Sequence, residues 1–222
     1  MTVAWSYSRL ENFELCPKWF HAVFVAKTHR EEKHPSAAHG QEVHEAFRKA
    51  VVEKAPLPPQ LARFNRIVQL FSSFPGEQLT EFQMAVNAEL RPTDWFARDV
   101  YCRAIADFAA VGQRDALLVD YKTGRPKNEF TQLELTACLL MSHRPEIQAV
   151  KLRFLYTTDA SLIRPPDTDP LKREDIPWVL SKLEPRVRAY QEAHEKEEFP
   201  AKPSWKCRQC PVNKCPYWEG RR

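Results

Sequence analysis

Asp120 and Lys122 stand two residues apart in Val119-Asp120-Tyr121-Lys122. On a strand, alternate side chains share a face, so this carboxylate and amine emerge side by side. A second carboxylate, Asp107, is embedded in Ala104-Ile105-Ala106-Asp107-Phe108-Ala109-Ala110, where burying a charge without a partner is costly. If the two segments pair, Asp107 approaches Asp120, and converging carboxylates repel unless a cation lies between them. Hard oxygen donors suit Mg²⁺ or Mn²⁺ rather than zinc, and Lys122 beside such a cation would hold or deprotonate an attacking water. Glu81, at a strand start, fits a further acidic member of the site and a solvated position equally well. Taken alone, His44 reads as a helix-face residue and Gln132 as a polar residue near a helix N-terminus.

A second group of residues suits metal chemistry of another kind. Cys207-Arg208-Gln209-Cys210 followed by Cys215 gives C-x₂-C-x₄-C, a spacing that lets three thiolates reach one centre and lacks a fourth ligand. Cys16, before Pro17, can supply it. Such a site would close a loop of nearly the whole chain, so that metal binding becomes folding free energy. Spacing alone does not choose between tetrahedral zinc and an iron–sulfur cluster. Cys102, among small apolar residues, and Cys138, in a helix, read as small core hydrophobes. Trp205 and Trp218 flank the cysteines, either packing on the site or offering faces for base stacking. Arg125 and Lys127 follow Thr123-Gly124 directly after Lys122, and Arg103 precedes Asp107 by four residues. Each suits a phosphate contact that positions a strand without reading its sequence.

The elements that must place these residues follow from periodicity. Ser8 and Glu11 have capping-box spacing for a first helix, which Cys16-Pro17 should break. Helical patterns cover 41–54 and 60–72, separated by Ala55-Pro56-Leu57-Pro58-Pro59. The period then changes to two over 81–90, and strands are expected at 100–111 and 116–122 around the turn Gly112-Gln113-Arg114-Asp115. A helix at 129–142, a strand at 149–157 and a helix at 175–196 kinked by Pro185 complete the order. This is an α/β (α+β) chain with a mixed central sheet flanked by helices. It is read as one domain over 1–222: a helical N-terminal segment over 1–78 with Cys16 and His44, a sheet core over 79–160, and a helix with the cysteine segment over 161–222.

Composition narrows the function classes. The 222 residues are 43% hydrophobic and 28% charged, ordinary globular usage that excludes a fibre, a rod or a disordered tail. A formal net charge of +4 suits a polyanion partner bound at a local site rather than a blanket of charge. Six cysteines are too few for a disulfide scaffold at this length, and residues 1–10 lack a signal peptide's pattern. The expectation is an intracellular protein, and with no apolar run near 18 residues, one without a membrane span.

The arrangement of Asp107, Asp120-Tyr121-Lys122 and Gln132 resembles the PD-(D/E)XK nuclease superfamily. The likeness covers nearly the whole chain and is closest to RecB-type and CRISPR adaptation nucleases. It implies a restriction-endonuclease-like fold and metal-dependent hydrolysis of DNA phosphodiesters, more often by exonuclease action, in repair, recombination or a larger CRISPR adaptation assembly. It implies that Asp107, Asp120, Lys122 and Gln132 serve catalysis. It further implies that His44, in Gly40-Gln41-Glu42-Val43-His44, joins Asp107, Asp120 and the Tyr121 carbonyl in holding Mg²⁺ or Mn²⁺. The segment from Ser8 to Pro17 looks like the N-terminal cysteine segment of iron–sulfur nucleases, which implies a [4Fe-4S] cluster on Cys16, Cys207, Cys210 and Cys215, with Zn²⁺ the alternative. Two positions depart from the family pattern: Ala104 replaces a glycine, and Thr136 replaces a tyrosine that would contact substrate. Neither is a metal ligand. The competing readings are a nuclease-like fold that binds DNA or a partner without catalysis, and a zinc-stabilised structural protein.

Overall fold

The structure, a computed structural model, describes residues 3–30, 35–126, 129–158, 161–166 and 169–220. It divides into two compact units, one of 1–33 with 181–222 and the other of 34–180.

The first unit begins with α1 (Tyr7–Leu15) and α2 (Pro17–Phe20), which continues as a π-helical turn over His21–Val25. The chain breaks at Cys16, whose extended φ of −164° reflects the steric demand of the following proline, and Pro17 restarts the helix at a position where no amide hydrogen is needed. The cap of α1 is Ser6 rather than Ser8: its hydroxyl accepts from the Arg9 amide at 3.3 Å. The helix so begun has Tyr7 buried in its first turn, as Trp5 before it is buried.

The second unit opens with α3 (Pro35–Val52) and then a 3₁₀ turn, Pro59–Phe64, leading into α4 (Asn65–Ser72). The expected helix over 60–72 is thus tightened in its first half, after the Pro58-Pro59 pair, while Leu61, Phe64, Val68 and Phe71 keep their buried stripe. Among the described residues seven strands follow: β1 (Glu77–Val86), β2 (Pro92–Thr93), β3 (Cys102–Val111), β4 (Asp115–Lys122), β5 (Ala149–Tyr156), β6 (Ser161–Ile163) and β7 (Leu171–Lys172), with α5 (Thr131–His143) crossing from β4 to β5. The sheet order is β2-β1-β3-β4-β5-β6, with β7 also on β5. All pairs are antiparallel except β4 with β5, which α5 connects in parallel.

The first strand lies four residues earlier than its alternation suggests. Asn87 takes the chain off the sheet: its side-chain Oδ1 accepts from the amides of Glu89 and Arg91, folding 87–91 into a turn. Both faces of the sheet are covered. Phe108, Val119, Tyr121 and Leu155 pack with Val43 and Phe47 of α3 and Phe71 of α4, whereas Phe154 stacks on Phe130 at the start of α5. The last helix, α6 (Ile176–Glu195), runs unbroken through Pro185 and carries its portion from Ser181 onward into the first unit. Among the described residues, no helix is long and apolar enough to cross a membrane.

Candidate active site and cysteine centre

Along β3, Cys102 and Phe108 are six apart and by alternation should share a face. They do not. Cys102 interacts electrostatically with Cys138 of α5, and Phe82, paired opposite Ala106, packs edge-on against His143 of α5. Phe108 instead stacks on Phe71 of α4 at 5.3 Å. The β1–β3 pair therefore turns over between these points, at the one step where its ladder lapses: Thr80 pairs with Phe108 and Phe82 with Ala106, leaving Glu81 and Asp107 opposed, with Glu81 at φ 49°. The β3–β4 ladder stops at the same level, at Phe108 with Val119. There the Asp107 side chain takes the place of a backbone acceptor, its Oδ2 receiving the Tyr121 amide at 2.7 Å. Asp107 thus sits in the gap between strands instead of on a face.

His44 reaches this gap from α3, whose neighbouring Val43 and Phe47 are buried in the core. Its Nε2 lies 3.0 Å from the Tyr121 carbonyl oxygen, and its Nδ1 lies 3.4 Å from Asp107 Oδ1 and 3.9 Å from Glu81 Oε1. Burial disfavours the charged imidazole, but the hydrogen bond to Asp107 and the charges of Asp107 and Asp120 outweigh it, so its pKa is pushed up to about 8. Partial burial, followed by the charge of Asp107, raises Glu81 as well. An open cavity of about 560 Å³, lined by Ala37, Gly40, Gln41, His44, Glu45 and Glu81, gives access to this side of the group.

Asp120 and Lys122 lie next along β4. Lys122 Nζ is 2.8 Å from Asp120 Oδ2, donates to Gln132 Oε1 at 2.9 Å, and stands 5.1 Å from the centre of the Phe154 ring. Burial, then the charge of Asp107, raises the Asp120 carboxyl, with Lys122 and His44 pulling the other way. Thr136, at the departing position, is buried and turns its hydroxyl back to the Gln132 carbonyl.

The residues singled out from sequence are therefore gathered unevenly. Among the described residues, His44, Glu81 and Asp107 form the one group of three or more His, Cys, Asp or Glu side chains whose donor atoms all lie within 4.8 Å of one another. Asp120 stands outside it, held by Lys122. Glu81 belongs to it, and the signal that could have placed it there is the β1–β3 register, which no single segment carries. Arg103 donates to the Trp95 carbonyl at 2.8 Å and lies over the Trp95 ring, Arg125 is exposed after β4, and Lys127 lies outside the described residues.

This set fits a hard cation. Octahedral Mg²⁺ or Mn²⁺ with bonds of about 2.1 Å places adjacent donors about 3 Å and opposite donors about 4.2 Å apart, the range spanned by His44 Nδ1 with Asp107 Oδ1 (3.4 Å) and Glu81 Oε1 (3.9 Å), while the Tyr121 carbonyl lies at the ring's other nitrogen. Tyr121 would contribute that carbonyl alone. Its hydroxyl is buried, has no hydrogen-bond partner among the described residues, and is held well above the usual phenol range by burial. Tyr121→Phe is accordingly expected to fold with equal stability, or up to about 1 kcal/mol more, and to keep activity within about twofold. Thermal melts and cleavage assays check this, and a large loss of activity would place the hydroxyl in the chemistry.

In the first unit, all four end cysteines line one small cavity, and all are free. Cys16 and Cys210 are buried, and burial, with the neighbouring Cys16, Cys215 and Cys207, raises the Cys210 thiol. Backbone amides already point at two sulfurs: Lys202 to Cys16 Sγ at 3.5 Å and Ser204 to Cys207 Sγ at 3.4 Å. No three of these sulfurs lie within 4.8 Å of one another. Cys102 and Cys138 are 1% exposed in the other unit's core, as expected.

A family model for the PD-(D/E)XK nuclease superfamily matches residues 4–215. The solved crystal structure of SSO0001 aligns with a TM-score of 0.49 at 15% identity, covering 97% of this chain and 87% of that one. Among curated proteins, none matches the sequence.

Proposed function

This chain belongs to the PD-(D/E)XK nuclease superfamily, and from that premise we propose that it is a metal-dependent DNA nuclease, hydrolysing phosphodiesters by water attack and acting as an exonuclease. The observation that carries the proposal is the convergence of the His44 imidazole, the Asp107 carboxylate and the Tyr121 carbonyl beside the Asp120–Lys122 pair. His44, Asp107, Asp120 and the Tyr121 carbonyl would hold Mg²⁺ or Mn²⁺, with Glu81 as a further carboxylate at its edge. The bound ion supplies Lewis acidity toward a phosphoryl oxygen and lowers the pKa of its water. Lys122 donates to Gln132 and pairs with the Asp120 carboxylate by charge, which holds the ammonium beside the site with donors left to orient the water or a phosphate oxygen. Arg103, Arg125 and Lys127 serve as phosphate contacts.

The cysteines are proposed to hold a [4Fe-4S] cluster. The gathering of all four cysteines around one cavity and the amides aimed at Cys16 and Cys207 support the cluster. We further propose an intracellular role in DNA repair, recombination or a CRISPR adaptation assembly.

The test is a Mn²⁺-dependent assay on end-labelled single- and double-stranded DNA, with EDTA and Lys122→Ala as controls. Cleavage from the ends is expected, lost in EDTA and reduced about a thousandfold in the variant. Equal cleavage by Lys122→Ala would sink the assignment. DNA binding in EDTA with no cleavage after Mn²⁺ addition would make the chain a nuclease-fold binding module instead.

A further inference from the structure

We propose a second nucleic-acid site in the first unit: the segment around the cysteines is a platform on which the bases of a single strand stack. Residues 201–218 carry four cations, Lys202, Lys206, Arg208 and Lys214, and no Asp or Glu, interleaved with Trp205, Tyr217 and Trp218. The three aromatic side chains are 67%, 47% and 41% exposed. Isolated exposed aromatics are common on soluble proteins, but three within fourteen positions, interleaved with four cations, form a patch that calls for an occupant.

The rings are held rather than loose. The Trp218 indole N–H donates to the Cys210 carbonyl at 3.0 Å, so its ring is pinned at one edge with much of its surface in solvent. Trp205 opens a short 3₁₀ turn capped by the Ser204 hydroxyl. Between them, Lys206 places its ammonium 4.7 Å from the Trp19 ring centre and 5.7 Å from that of Trp205, and lines the same cavity as Trp218. Arg208 pairs with Glu219 at 3.0 Å, and Lys202 donates to the Glu14 carbonyl at 2.7 Å.

Fixed aromatic faces beside cations match a strand's two components, bases on rings and phosphates on ammonium groups. The strand must be single, because a duplex keeps its base faces occupied. A protein partner for such a patch would have to be acidic and apolar at once, whereas a nucleic acid has both properties at every residue. The platform contains none of the acidic centre's residues, so it stands or falls apart from the nuclease reading.

The test is fluorescence anisotropy with the full chain in EDTA, comparing labelled oligo(dT) with an abasic strand of the same length and charge. Oligo(dT) is expected to bind at least about tenfold more tightly, and Trp205→Ala to lose about tenfold in oligo(dT) affinity with the abasic strand unaffected. Trp205→Phe should restore most of the loss. Trp205 is mostly exposed, so its removal leaves the core intact. Equal affinity for the two strands, an unchanged Trp205→Ala variant, or a loss shared equally by both strands would overturn the proposal.

Discussion

Asp107→Asn is expected to lower Mn²⁺-dependent DNA cleavage by about a thousandfold or more, on the order of 4 kcal/mol of barrier, while the protein still folds. Asp107 performs two tasks that the substitution separates. As an acceptor, it receives the Tyr121 amide at 2.7 Å where the β3–β4 ladder has stopped, and an asparagine carbonyl can do the same. As a charge, it faces His44 and stands opposite Glu81, and an amide cannot replace that. Thermal melts near those of the wild type, combined with lost Mn²⁺ affinity by calorimetry and lost cleavage, are the expected pattern. Cleavage within tenfold of wild type would remove Asp107 from the metal site. Asp107→Ala is the more damaging change to the fold, because it also leaves the Tyr121 amide without its partner.

The second large effect concerns the cysteines. Cys16→Ala should remove the cluster and lower the thermal midpoint by roughly 10 °C or more, because a cross-link closing most of the chain contributes on the order of 5 kcal/mol. One ligand comes from the break between α1 and α2, and the other three from the final segment. Losing the first ligand therefore frees the beginning of the unit from its end. Anaerobic purification with iron and sulfide analysis reads the loss directly. Cys138→Ala, in the core of α5, is the control: some stability lost, iron retained. Stoichiometric zinc in the wild-type protein, or unchanged iron in Cys16→Ala, would count against the cluster.

The candidate site was legible in proportion to how local its geometry is. Asp120 and Lys122 needed only a strand, and the pair lies 2.8 Å apart. The break at Cys16 needed only Pro17, and Gln132 needed only the turn that starts α5. The local signal favours Ser8 as the first cap, because Glu11 stands three residues on, whereas the structure caps the helix at Ser6 with Tyr7 buried in its first turn. Strand β1 was misplaced by four residues, because the alternation over 81–90 continues past the point where the Asn87 side chain captures the turn amides.

By itself, then, the sequence determined the chemical inventory: which carboxylates sit in apolar strands, which lysine accompanies them, and which cysteines have ligand spacing. These are properties of a few consecutive residues, and short-range sterics and alternation suffice to express them. Only the tertiary structure decided that Glu81 joins His44 and Asp107, that Asp107 lies in a gap between strands, and that His44 meets a carbonyl 77 positions away. Those outcomes depend on the register of β1 against β3 and on the turnover of that pair at a positive φ, both set by long-range pairing and by the packing of helices on opposite faces.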